Sequence, residues 1–387
     1  MDMNQLIKRL VVASYLVSIS STFAATVVPD GRGNGMGNTG VTSSDYVLAP
    51  FYNPSLVAVH RDEDDFGLLI PAIGATVRDT DETIDTIDDL QDAIKAFESS
   101  GSNDSAQAAA LNNYLTQLED NKPLSVAAGA ALAVAFPIKT LSANFFSRGY
   151  AEIIAVQDIA VNLGDAPANV KTRYETSNVD MIAFGYTEYG IALAKQFTIS
   201  GQDIFFGVSP KYQQLRTYKQ NLSVEDFDLS DYDKSKTTKN TFNMDFGAVW
   251  LVEDYRIGLA VKDLFSKKID TLDVGGVSTY DLNTQITVSG AYTHEFFTAT
   301  IDLDLTKQKR FVELADDTQF LRLGVEGNAF GWAQLRAGYQ FDTEDTLDDV
   351  ITAGIGISPG DLVSFDLAAS YAGNNQYGVS ANLSFTF

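Results

Sequence analysis

Cysteine is absent from the 387 residues. That removes thiol nucleophiles, CxxC redox motifs, thiolate zinc sites and the disulfides that staple many secreted domains. Histidine is scarce, with only His60 and His294. Two imidazoles, with no G-x-S-x-G motif beside them, leave no set of nucleophile, base and orienting group, and no enzymatic activity is expected. Basic residues are in deficit: 27 Lys and Arg stand against 51 Asp and Glu, a net charge of −24. No basic face for nucleic acid is expected from such a balance. Long apolar runs are missing after the first two dozen residues, where a membrane helix would need roughly 20 in a row. Mean hydropathy is −0.04. A helical membrane protein is excluded, but a β-barrel is not, because its strands are apolar on one side only.

The short apolar run that does exist lies at the start. Lys8 and Arg9 precede Leu10 to Ile19, and Thr22-Phe23-Ala24 follows the small-x-small rule. Residues 1–24 therefore read as a signal peptide, cleaved after Ala24 or, alternatively, Ala25. Export from the cytoplasm is expected.

Period-two alternation dominates the rest. Tyr377, Val379, Ala381, Leu383, Phe385 and Phe387 share one parity; Gly378, Ser380, Asn382, Ser384 and Thr386 share the other. The aromatic ending, Phe385 with Phe387, resembles the assembly signal of bacterial outer-membrane barrels. The same alternation recurs at Phe242–Val252, Ile301–Leu305, Leu321–Val325, Leu335–Phe341, Ile351–Ile357 and Val363–Tyr371. The polar parity carries glycines, small residues and full charges, as a barrel lumen would. Tight turns at Glu253-Asp254, Gly331-Trp332 and Ser358-Pro359-Gly360-Asp361 suggest an up-and-down meander.

Fourteen strands are predicted: Asp64–Val77, Leu124–Phe136, Leu141–Val161, Ser177–Phe197, Asp203–Tyr218, Lys239–Val252, Tyr255–Leu264, Leu282–His294, Phe297–Thr306, Gln319–Asn328, Trp332–Phe341, Asp349–Ile357, Leu362–Tyr371 and Gln376–Phe387. The expected fold is an all-β transmembrane antiparallel barrel over residues 63–387, entered from a plug at residues 25–62.

One insertion, residues 79–121, has helical period. Ile84, Ile87, Leu90, Ile94 and Phe97 form one stripe, and Leu111, Tyr114, Leu115 and Leu118 a second, separated by Ser99–Ser105. A helical hairpin outside the cell is expected. Its acidic face (Asp81, Glu82, Asp85, Asp88, Asp89, Asp92) reads as solvated surface, with cation or partner binding as the alternative. A second acidic run, Glu225 to Asp233, lacks the central Gly and final Glu of a calcium loop, so no metal site is expected.

Before the first strand, residues 31–40 contain five glycines. No Lys-Ser/Thr follows, so this is not a phosphate loop. The stretch Gly35-Met36-Gly37-Asn38-Thr39-Gly40-Val41, with Asn53-Pro54-Ser55, resembles the hatch of FadL-type transporters of long-chain fatty acids and aromatic hydrocarbons. In that superfamily a hatch plugs a fourteen-stranded barrel and carries Asn-Pro-Ala; here Ser55 holds the third place. The chain more closely resembles the outer-membrane family labelled conjugal-transfer TraF-like. Gly207-Val208-Ser209-Pro210-Lys211-Tyr212, Phe242 to Gly247, Gly258 to Leu264, Asp302 to Thr306 and Leu335 to Tyr339 carry that likeness. Asp263 stands where the family usually has Asn.

Strand parity turns Asp245, Arg256, Lys262, Asp302, Asp304, Arg322, Glu326, Arg336 and Asp366 inward. Paired charges filling the lumen are the plain reading; a conduction path or a latch for the plug is the alternative. The FadL-type resemblance implies uptake of a hydrophobic or amphipathic molecule past the hatch, with sideways exit at a strand break. Asn144, Ser147, Arg148 and Gly149 in the third strand are the candidate break, or merely a lumen-facing patch. A structural role in conjugation or surface contact competes with transport. Expected partners are outer-membrane lipid and lipopolysaccharide, the barrel-assembly machinery and a hydrophobic ligand; no cofactor is implied.

Overall fold

The computed structural model describes residues 28–387 except residue 315. The signal segment lies outside the described residues. Sixteen strands run in order: β1 (Gly67–Arg78), β2 (Leu124–Phe136), β3 (Ser142–Asp158), β4 (Asn178–Ile199), β5 (Gln202–Ser223), β6 (Lys236–Val252), β7 (Tyr255–Lys262), β8 (Lys267–Asp270), β9 (Thr279–Leu282), β10 (Gln285–His294), β11 (Phe297–Asp304), β12 (Phe320–Ala329), β13 (Ala333–Asp342), β14 (Val350–Ile357), β15 (Val363–Tyr371) and β16 (Gln376–Thr386). Fourteen of them close into one antiparallel barrel, with β1 paired to both β2 and β16; β8 and β9 form a separate two-stranded sheet. The expected fold class is thus observed. Closure leaves no unpaired edge, which a lipid environment demands.

The two ends differ. At the short-turn end the strands reverse through left-handed residues, as at Ser200-Gly201 and Phe330-Gly331, whose twist suits a tight hairpin. The seam closes there too: the Asp65 and Phe66 amides donate to the Phe387 carbonyl, at 2.5 and 2.9 Å. β1 carries one irregularity. Its register shifts against both neighbours between Leu69 and Ala72, where Pro71 offers no N–H to a ladder.

At the long-loop end the wall is uneven. β4 and β5 each run 22 residues, about twice the 9–11 that cross a bilayer. The helices α3 (Thr83–Ser99), α4 (Ser105–Glu119) and α5 (Pro167–Thr176) stand there, while α1 (Gly31–Gly35) and α2 (Ala49–Tyr52) lie in the lumen. Outward parity on β2 belongs to Leu124, Val126 and Ala128, since Ala127 and Gly129 face Pro29 of the hatch. Yet those outward residues are buried, as are Ala151, Ile153, Met181 and Ala183, in one apolar cluster with Leu90, Phe97, Leu111, Leu115 and Leu118 of the helices. The helical hairpin therefore lies against the outside of the tall wall. Alanines at the contact let it approach closely.

Two elements were not anticipated. α5 buries only Val170, Arg173 and Tyr174, too short a stripe to stand out as periodic. The strand expected over Leu282–His294 is split: β9 ends at Leu282, and only β10 joins the barrel. The β8–β9 sheet folds back into the mouth, where Tyr280 stacks on Phe184 at 3.5 Å and meets Phe311 edge-on at 5.2 Å.

Placing a carboxylate at a dry helix–wall contact costs several kcal/mol. Leu115→Asp should therefore detach the hairpin, so that proteinase K cuts within Ser99–Ser105. The barrel itself should keep its heat-modifiable migration on gels.

Candidate functional site: the hatch and its seat

The lumen is blocked by residues 28–59. α1 (Gly31–Gly35) is capped by Asp30, whose carboxylate accepts from the Gly33 amide at 2.7 Å and from the Tyr52 hydroxyl. Burial pushes the Asp30 carboxyl up to about 6, against the lowering effect of those two bonds. A chain running inside a lumen has no ladder of its own, so the wall must satisfy its backbone. Asn382 accepts from the Gly31 amide at 2.7 Å. Thr352 accepts from Gly37 at 2.9 Å and donates to the Gly35 carbonyl at 3.1 Å. Asp302 accepts from Gly40 at 2.9 Å and Val41 at 3.2 Å, and its other oxygen takes the Ser289 hydroxyl at 2.5 Å.

The glycines permit contact with the wall. Gly37 is left-handed, with φ +69°, and a Cβ on Gly338 of β13 would fall 2.0 Å from its nitrogen.

α2 (Ala49–Tyr52) leads into Asn53-Pro54-Ser55, all buried. The Asn53 amide donates to the Val41 carbonyl at 2.9 Å, and its oxygen accepts from the Ser55 amide at 3.1 Å and hydroxyl at 2.7 Å. The serine in the third place thus adds a bond to the cap of the 3₁₀ turn Pro54–Ala58. Beneath lies Gly247 of β6, where a Cβ would sit 1.8 Å from Asn53 Oδ1.

The lumen charges separate into distinct sets. Arg322 grips Asp304 with two bonds of 2.9 Å. Arg336 bridges Glu326 and Asp366 at 2.6 Å each, and Glu326 also receives Arg32 of the hatch at 3.0 Å. Asp302, Arg256 and Lys262 serve the hatch backbone instead: Arg256 donates to the Thr42 carbonyl at 3.1 Å, and Lys262 to that of Phe51. Asp245 belongs to a further cluster centred on Lys211, which lies 2.9 Å from Asp245, 2.9 Å from Asp263 and 3.3 Å from Glu188. Arg148 completes it, 2.8 Å from Glu188. Lys211, Glu188 and Asp263 were missed as site residues. Inward parity on the long strands could have revealed Lys211 and Glu188, but Asp263 sits in the loop after β7, where parity is lost.

The third strand carries no break. β3 pairs in unbroken register with β2 and β4 through Asn144↔Ala135, Ser147↔Tyr189, Arg148↔Glu188 and Gly149↔Ala130. The expected interruption arises from inward polar residues: Asn144 donates to the carbonyls of Tyr46 at 3.0 Å and Val47 at 2.9 Å, and Arg148 lies in the charge cluster. Ser147 and Gly149 occupy the outward parity. Among the described strands, the register shift falls in β1 instead. Phe385 ends β16 on its outward parity, and Phe387 closes the seam. His60 borders a cavity between the hatch and the short-turn end, and His294 ends β10.

A hatch wedged in a fourteen-stranded barrel is the FadL-type architecture, and solved structures of that class superimpose on the chain. The toluene transporter TbuX of Ralstonia pickettii matches 92% of this chain and 98% of its own, at 12% identity and a TM-score of 0.54. The toluene transporter TodX of Pseudomonas putida matches 95% and 99%, at 11% identity and a TM-score of 0.51. A FadL homologue of Pseudomonas aeruginosa matches 95% and 99%, at 11% and 0.50. These likenesses establish the fold. The sequence profile described as "F plasmid transfer operon, TraF, protein" matches residues 50–304, well over half of the chain, and the chain belongs to that family. No curated protein matches the sequence.

Removing the Asp302 carboxylate would leave two buried amides unmet, at about 1–3 kcal/mol each. Asp302→Ala should speed amide exchange across residues 31–45 by about tenfold or more. Amides of β12–β14 should exchange as before.

Proposed function

We propose that the chain is an outer-membrane channel, closed by its hatch, for small hydrophobic or amphipathic molecules. The observation that carries this reading is the hatch itself. It lies across the lumen, joined to the wall mostly by single side-chain-to-backbone bonds that a rigid shift can break. A cavity of about 70 Å³ bordered by Asn34 and Asn38 lies on its long-loop side. One of about 460 Å³, bordered by Arg32, Asp45 and Tyr46, lies on the other.

The outward face supports a membrane setting. Leu132, Leu323, Val325, Ile351, Ile355, Leu367 and Val379 are exposed and form an apolar band. Aromatics flank it: Phe145, Phe197, Trp250, Tyr255 and Phe365 toward the short-turn end, and Tyr189, Tyr212, Phe242 and Tyr371 toward the other. Such paired girdles mark the two interfaces of a barrel in lipid. On this reading the short turns lie in the periplasm and the helices outside the cell. Partners on this reading are outer-membrane lipid and lipopolysaccharide, and the barrel-assembly machinery during insertion.

Purified protein in planar bilayers tests the gate. Gly338→Val, which drives a side chain into Gly37, should displace the hatch and raise single-channel conductance several-fold. Accelerated amide exchange in residues 31–45 without any gain in conductance would sink the hatch as gate. Solvent extraction of the folded barrel followed by mass spectrometry tests the cargo: recovery of nothing beyond detergent and bulk lipid counts against a hydrophobic ligand.

The family's description favours a second reading, a structural part in conjugative transfer through the acidic face of α3. Deleting the hairpin would uncover apolar wall, so charge reversal is the cleaner probe. Asp89→Lys with Asp92→Lys should reduce mating and leave conductance unchanged if that surface meets a partner.

A further inference from the structure

The lumen above the hatch holds a cation that the ion pairs leave out. Arg78 ends β1 on the inward parity and borders two neighbouring cavities of about 70 and 50 Å³. No carboxylate of the described residues pairs with it, although the other lumen arginines are committed. Arg322 holds Asp304. Arg310 is paired with Glu152 and lies 3.4 Å from Asp316. Glu152 is further occupied by the Ser125 hydroxyl at 3.0 Å.

Glu152 borders both cavities too, its Oε1 held by Arg310 and Ser125. The other groups around Arg78 with free hydrogen-bonding capacity are mainly donors. Tyr150 borders both cavities, and its hydroxyl has no partner among the described residues. The Ser380 hydroxyl is buried and unpartnered. Gln340 receives Asn38 on its oxygen and keeps its amide nitrogen free. One buried acceptor, Asn38 Oδ1, also lacks a partner. A guanidinium with hydroxyl and amide donors around it matches a carboxylate, which accepts two parallel N–H bonds. A buried polar group without a partner costs free energy, so the Ser380 hydroxyl gains from an acceptor in the cavity.

We propose that this cavity binds a small hydrophilic carboxylate through Arg78 and Tyr150, seated on the hatch. The cavity of about 70 Å³ exceeds the roughly 10–15 Å³ that one water needs. An acetate-sized ion therefore fits, and the polar groups around Arg78 favour a short carboxylate over a hydrocarbon chain. The site goes beyond the channel reading and stands without it, because binding is measured apart from conduction.

Saturation-transfer NMR on acetate methyl protons, with the full detergent-folded protein and matched chloride, tests the site. The expected result is a saturable transfer signal. Arg78→Gln should weaken it about tenfold or more, through the loss of the charge-assisted pair of bonds. Tyr150→Phe should weaken it several-fold, and Arg78→Lys should retain part of it. Heat-modifiable migration verifies that each variant is folded. An unchanged signal in Arg78→Gln, or no saturable signal in the native protein, would overturn the site. Octanoate binding at least tenfold tighter than acetate would overturn the hydrophilic class, because the apolar tail would then be the recognised part.

Discussion

The satisfaction of backbone polar groups inside the barrel is the constraint on which the rest of the structure depends. The wall solves it by closure. The hatch cannot, since its short turns bond only part of their own backbone and leave the rest to be met by side chains. Asn382, Thr352, Asp302, Arg256 and Lys262 meet that need from the wall, and Asn53 meets it from within the hatch. The inward charges thus have two jobs. Some neutralise one another, as Arg322 does with Asp304, while others complete the hydrogen bonding of a foreign segment. Buried ion pairs add little net stability, but they fix positions, and a hatch requires fixed positions to be seated on.

The same economy explains the glycines. A side chain at Gly247 or Gly338 would occupy space already filled by Asn53 or Gly37. Hatch and wall are complementary at the level of the Cβ atom, so the fit is sensitive to single methyl groups.

Much of the barrel was legible from alternation alone, because the outward parity must be apolar in lipid and the inward parity is not. The hatch was legible from Gly35, Gly37, Gly40 and Asn53-Pro54-Ser55, whose composition fits neither strand nor free linker. The side on which the helical hairpin packs was not: an apolar helix stripe states that it is covered, not by what. The alanines of β2–β4 would serve equally against lipid, lumen or helix. Asp263 was invisible as a lumen group because its place comes from a loop folding inward. The apparent break in β3 came from treating polar residues as interruptions, when Asn144 and Arg148 face inward to hold partners in the hatch and on β4.

The backbone clamp between Asp65, Phe66 and the final carbonyl limits how the hatch can travel. It anchors the chain just before β1, so only residues 59–64 remain to act as a hinge. Six residues extend to about 20 Å at most. On the gating proposed above, a dislodged hatch would stay within that radius of the rim, and reclosure would be a local search for its own seat.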